Sequence, residues 1–425
     1  MGRTARGRQK KPYLPPVERI ELNQDHVGRR LIIAAVLLIL GAAMLTYSFV
    51  QLMSPDSEGW ITIEANSGAG ATCGADFELL YYPGRGGTSS AAERKEVAAL
   101  YSQLCREAFE LFHEQEAFEG VNNIYAINRH PNQVLEIDER LYEAFSVVER
   151  SGSRAVYLGP VYSRYDDLFF CREDYQLVDF DPRLSEAVAR EYQEVLAFAN
   201  DPEAVRIELL GENRIRLHVS QDYLDYAQRE EIEDFIDFSW MRNAFIADFL
   251  AEGLAGEGYT SGILGSYDGF IRNLDAGETG YSLQIYDYSE GIIYPVTAIA
   301  YQGPMSAVSL RDYPTGERDL YRFYQLENGE IRTLYLDPAD ALCKSAVHDL
   351  TGYARDKGCG EILLALSEAY IADVFRPEKL EELAERGVQS VFCQDRVMYY
   401  TDPEIALGQI YDGNGVRYTA SQLKP

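Results

Sequence analysis

The chain has 425 residues and a net charge of −29, with 31 Tyr and 18 Phe. So acidic a surface repels phosphate backbones, which excludes nucleic acid as a partner, and the aromatic content excludes a disordered stalk. The length suits one large domain or two intimately joined lobes.

The charge is unevenly spread. Residues 1–30 hold eight basic side chains, ending at Arg29 and Arg30, against Glu18, Glu21 and Asp25. Residues 31–53, LIIAAVLLILGAAMLTYSFVQLM, contain no Asp, Glu, Lys or Arg. At about 1.5 Å of rise per residue, a helix over that run crosses a hydrocarbon core of roughly 30 Å. The positive-inside rule keeps the basic tail cytoplasmic and sends the rest outside. The run is long for a cleaved signal peptide, and no A-x-A site follows it. The expected organisation is a cytoplasmic tail (1–30), a transmembrane signal anchor (31–53), a linker (54–59) and an extracytoplasmic domain (60–425) at the cell membrane.

Within that domain, ADFELLYY (75–82) reads as a strand and residues 84–90 as a loop. Apolar residues at Val97, Leu100, Leu104, Ala108 and Leu111 recur every three or four positions, which predicts a helix over 91–115. The same spacing predicts helices over 138–150, 183–199 and 240–256. VRIELL (205–210) and RIRLHV (214–219) alternate around a Gly-containing turn, a hairpin signal. Residues 260–336 read as strands and turns, 361–371 and 377–386 as helices, and 388–393 with 396–400 as a closing strand pair. Helices and antiparallel strands are mixed without regular βαβ alternation, so the fold class is α+β.

Signs of chemistry are sparse. There is no P-loop, no G-x-S-x-G elbow and no G-x-G-x-x-G opening a helix. The five histidines are not at ligand spacing, and Glu230, Glu231, Glu233 and Asp234 read as a solvated face before a metal site. Cys73, Cys105, Cys171, Cys343, Cys359 and Cys393 form no C-x-x-C pair. Disulfides and buried free thiols both remain open.

Several segments, in order, resemble the ApbE-type FAD:protein FMN transferase family. Phe118-Glu119-Gly120-Val121-Asn122-Asn123-Ile124 is similar to "Y-x-G-I-N-N-I", and VLEIDERL (134–141) to "V-x-V-D-x-E-L". NAFIADFLAEGLAGEGYTSGILGSYDGFI (243–271) resembles the stretch "K-G-Y-A-x-D…T-S-G-L-L-x-x-G-G-D-I". Asp312-Tyr313 looks like the end of "T-S-G-D-Y", and LYLDP (334–338) like "H-I-I-D-P". The resemblance spans roughly residues 60–405. It implies a two-lobed domain around a flavin cleft, FAD and Mg as cofactors, and membrane or extracytoplasmic redox proteins as partners. The flavin-site positions it implies are Asn123, Asp237, Gly265, Gly269, Asp312, Tyr313 and Asp337, with Glu361 as a metal ligand. Gly70-Ala71-Thr72 also resembles the end of a flavin-acceptor sequence.

The departures fall where the family's chemistry lies. Against "A-D-A-L-x-T", Asp becomes Glu361 and the ligating Thr becomes Ala365. Against "D-L-G-G-I-A-K-G", Asp237 is followed by Phe238, Ser239, Trp240, Met241, Arg242, Asn243 and Ala244, with every glycine replaced. Leu334 stands for the His, Phe270 for the Asp of G-G-D-I. The expectation is a degenerate, non-catalytic binding or assembly subunit whose cleft is filled by Phe238 and Trp240, with Arg242 paired to Glu361. Asp237, Asp248 and Asp337 are expected as caps or turn formers. The alternative is an active Mg-dependent FAD:protein FMN transferase acting on Thr or Ser.

Overall fold

A nine-stranded sheet organises the domain, and its strands lie side by side in the order in which they occur in the chain. They are β1 (Ile61–Ile63), β2 (Phe77–Tyr81), β3 (Gly262–Ser266), β4 (Phe270–Asn273), β5 (Met305–Arg311), β6 (Asp349–Ala354), β7 (Gln389–Gln394), β8 (Val397–Tyr400) and β9 (Thr419–Gln422). Each neighbouring pair is antiparallel except β8 and β9, which run parallel. The computed structural model describes residues 59–66, 71–85 and 89–423. The basic tail and the expected anchor at 31–53 lie outside these residues. Among the described residues no helix is long and apolar enough to cross a membrane.

The period of two in a strand explains how the sheet is covered on both faces. From β5, Val308 and Leu310 join the larger hydrophobic cluster, whereas Met305 and Ala307 join the smaller one. Phe392 and Val391 of β7 divide in the same way. The larger cluster contains the apolar stripes of α1 (Ser90–Phe112), α7 (Arg242–Gly256) and α8 (Cys359–Tyr370), through Val97, Leu104, Leu250, Leu254, Ile362 and Leu366. The smaller cluster holds Leu283, Ile285, Val296 and Ile299 from a three-stranded sheet of Gly280–Ser289, Ile292–Gln302 and Ala406–Leu407. The central sheet is thus sandwiched between helices and a small sheet. A Cβ at Gly352 would lie 2.5 Å from the Leu366 side chain, so this glycine lets α8 seat directly on β6.

The remaining helices are α2 (Ile124–Arg129), α3 (Glu139–Ser151), α4 (Gly159–Tyr165), α5 (Glu186–Ala199), α6 (Gln221–Arg229) and α9 (Pro377–Glu385). Asp138 caps α3 through the N–H of Arg140, and Ser185 caps α5 through that of Val188. The expected hairpin is present as Val205–Leu209 and Arg214–Val219, with Val134–Glu136 added at its edge. The described residues all fall in one compact unit. The chain also does not end on the β7–β8 pair. It continues through short strands and returns as β9, whose residues pair with β8.

Candidate functional site

Two concave regions gather the chemistry-bearing side chains. The first lies at the head of α7. Asp237 Oδ1 accepts the N–H of Ser239 at 2.7 Å, making an Asx turn just before the helix. Ser239 stands where the resembled motif has a glycine and keeps a left-handed φ of 40°. The turn is anchored behind by Asn128, whose side chain both donates to Ile236 O (2.8 Å) and accepts from Ile236 N (3.0 Å). Gly269, at φ 103°, lets the β3–β4 turn approach Ser309, whose N–H reaches its carbonyl at 2.9 Å. That turn carries Asp268, which accepts from Asn243 Nδ2 at 3.0 Å.

The expected plug at this place is not formed. Phe238 turns into the core between Phe112, Phe145 and Phe245. Trp240 donates to Tyr162 Oη at 3.3 Å and meets Tyr335 edge-on. Large rings gain more by burial under the helix than by standing at a wet surface. A groove of about 830 Å³ remains, lined by residues including Glu64, Asp76, Glu78, Asn243, Asp268 and Tyr321, and, among the described residues, by no Lys or Arg.

Arg242 also departs from expectation. It pairs with Glu114 at 2.8 Å, not with Glu361. Glu361 is held by Lys357, four positions earlier in the bend that leads into α8, at 2.5 Å. Burial pushes Asp237 up to about 7, with the nearby Glu114 charge adding to it and Arg242 opposing it. Asp166 is likewise pushed up to about 7 by burial and then by Asp237. Asp76 is raised by burial and by Asp268.

The second region is a cavity of about 630 Å³ lined in part by Tyr288, Asp312, Ser345, His348 and Cys393. His348 Nδ1 lies 3.0 and 3.1 Å from the two oxygens of Asp312. Asp312 holds the imidazole above the ordinary histidine value of 6.5. Tyr288 meets His348 edge-on and stacks on Tyr313, whose hydroxyl donates to Asp349 at 2.9 Å.

The other positions implied by the resemblance hold the fold together. Asn123 is buried, caps α2 through Ala126 N, and donates to the carbonyls of Glu110 and Glu116. Asp337 accepts from Ala339 N and pairs with Lys344 at 2.8 Å. Gly265 pairs with Glu78 across β2 and β3. Thr72 accepts the N–H of Gly74 and caps a 3₁₀ turn at Cys73–Asp76. Asp248 accepts the main-chain N–H groups of Cys359 and Gly360 at 2.7 and 2.9 Å, and is paired with Arg272. Sequence reasoning missed His348 as the partner of Asp312, and nothing in the local sequence joins two residues 36 positions apart.

A helical layer, a largely antiparallel sheet and a smaller sheet beneath it, in this strand order, define the flavin transferase fold expected from the motif resemblance. The particular structures it matches are ApbE proteins. The ApbE protein of Thermotoga maritima aligns with a TM-score of 0.54 at 12% identity, covering 83% of this chain and 97% of that one. Flavin transferase ApbE of Vibrio cholerae gives 0.50 at 14% identity, over 75% of this chain and 90% of that one. A variant of the same enzyme gives 0.50 at 15%, over 80% and 96%. At these identities the likeness is one of fold. No protein-family model and no curated protein matches the sequence.

Proposed function

We propose that this chain is a binding or assembly subunit built on the flavin transferase fold, held at the outer side of a cell membrane and without transferase activity. The observation that carries the reading is the state of α8. FAD with a divalent ion needs free donors for the pyrophosphate and oxygen ligands for the cation. Here the first amides of α8 are satisfied by Asp248, Glu361 is paired with Lys357, and Ala365 has no oxygen to offer on its side chain. Among the described residues no three His, Cys, Asp or Glu side chains converge as a metal site. The groove at the head of α7 is lined by Glu64, Asp76, Glu78 and Asp268, which repel a pyrophosphate. The residues present therefore do not fit that cofactor pair. The apolar run at 31–53 supports the membrane placement, and a membrane or extracytoplasmic redox protein is the partner class this role requires.

The Asp312–His348 pair favours a second reading, an active FMN transferase. A histidine oriented by a carboxylate at the wall of a cavity is equipped to take a proton from an acceptor hydroxyl. One experiment separates the two. The full-length protein in detergent is incubated with FAD, Mg²⁺ and a Thr-containing acceptor peptide, with flavin fluorescence and peptide mass as readouts. The binding-subunit reading expects unchanged FAD fluorescence and unmodified peptide. Addition of an FMN mass to the peptide overturns it.

A further inference from the structure

We propose that Cys73 and Cys105 form a disulfide that fastens one wall of the α7 groove to helix α1. Cys105 lies in the body of α1, and Cys73 opens the 3₁₀ turn Cys73–Asp76, whose Gly74, Ala75 and Asp76 line the groove. Cys73 Sγ donates to the carbonyl oxygen of Cys105 at 3.2 Å. The neighbouring Cys105 side chain, and then burial, raise the Cys73 thiol above its ordinary value. Both side chains are buried, at 5% and 0% exposure. Each of the other four cysteines is engaged elsewhere. Cys171 lies beside Asp167 and Cys343 beside Thr333, Cys359 donates to the carbonyls of Ile271 and Ala307, and Cys393 sits near Asp287 and Asp349. Of the fifteen connectivities open to six cysteines, the fold therefore favours those containing this one pair.

The bond forms by thiol–disulfide exchange. A small-molecule or protein disulfide is attacked by one thiolate, the mixed disulfide is resolved by the other, and the oxidant leaves as two thiols. The two protein thiols lose two electrons and two protons in all. Because both sulfurs are buried in the folded chain and Cys73 resists ionisation, the exchange belongs to folding, before the turn closes over α1. Thirty-two positions separate the two residues. Closing a loop of that size removes conformational freedom from the unfolded chain and so raises the unfolding temperature.

The test uses full-length protein made in a reducing cytoplasm, unfolded, and refolded in detergent with glutathione disulfide. Free thiols are alkylated, the protein is digested without reduction, and peptides are weighed. The expected result is a peptide pair joining Cys73 to Cys105, lighter by two hydrogens and lost on adding dithiothreitol, with the other four cysteines alkylated. Reduction is expected to lower the unfolding midpoint by roughly 5 °C. Cys73→Ser and Cys105→Ser should each abolish both signals. The Cys73→Ser/Cys105→Ser double variant, with no thiol stranded at the site, controls for folding. Alkylation of both residues after refolding, or either of them joined to another cysteine, overturns the proposal.

Discussion

Asp248 receives the main-chain N–H of Cys359 at 2.7 Å, joining α7 to the start of α8 across 111 positions of sequence. Its carboxylate also takes the next amide and the Arg272 guanidinium, so one partly buried side chain meets three donors. Asp248→Ala is expected to destabilise the domain by about 3 kcal/mol, from a lost cap and a stranded arginine. Urea unfolding measures this. Combining it with Arg272→Met should recover part of the loss, whereas strictly additive losses would show that the ion pair is not coupled.

Asp166, Asp237 and Asp349 all titrate near 7 in the folded chain, each mainly because burial disfavours the charged form. An unfolded aspartate titrates near 3.9. Between those values the folded state binds more protons than the unfolded one, so stability falls as pH rises from about 4 to about 7. Carboxylates held low, such as Asp275 and Asp319, lose their contribution only below that window. Thermal unfolding should therefore be several degrees higher at pH 5 than at pH 8. Asp349→Asn, which keeps an acceptor for Tyr313, should flatten the slope. A midpoint that rises steadily from pH 5 to pH 8 contradicts this account.

His348 should titrate above 6.5, with its pairing to Asp312 strongest below that titration and weakened as pH rises through it. NMR of the imidazole protons measures the value directly. Asp312→Asn is expected to bring it back towards 6.5. An unchanged value in that variant would mean that Asp312 does not set it.

Ser239 holds a left-handed backbone that a residue with a Cβ adopts at a cost of about 1 kcal/mol. Ser239→Gly should therefore stabilise the domain by up to about that amount, offset by greater freedom in the unfolded chain. Chemical denaturation at neutral pH checks it, and a clear loss would mean that the hydroxyl has a role that geometry does not assign.

If the apolar run is an anchor, protease added to intact cells should remove the domain while the basic tail stays protected. A protected domain with a cleaved tail would mean the opposite orientation.

The helices with a clean apolar stripe were legible in the sequence. Val97, Leu104, Ala108 and Leu111 mark α1, and all four are buried in it. Strand β6 was not legible. Its six residues, DLTGYA, are all buried, and a strand covered on both faces loses the alternation that announces it. The helix α6 was missed as well, although Ser220 stands at its cap and accepts the N–H of Tyr223. At the site, Asp237 as a turn former could be read from the motif resemblance. Long-range pairs could not. Arg242 chose Glu114 over Glu361 because the partner is decided by which helices meet, and no periodicity carries that information.

The matching of spatial order to chain order has a consequence for synthesis. A ribosome releases β1 and β2 early, but the next strand to flank them, β3, begins only at Gly262. Throughout the making of residues 82–261 the first hairpin is a two-stranded ribbon with one edge waiting, a structure with little stability of its own. From Gly262 onward each new strand finds its neighbour already made. A pause in translation within 82–261 would thus prolong the longest of the intervals in which an edge of this sheet waits for its next strand.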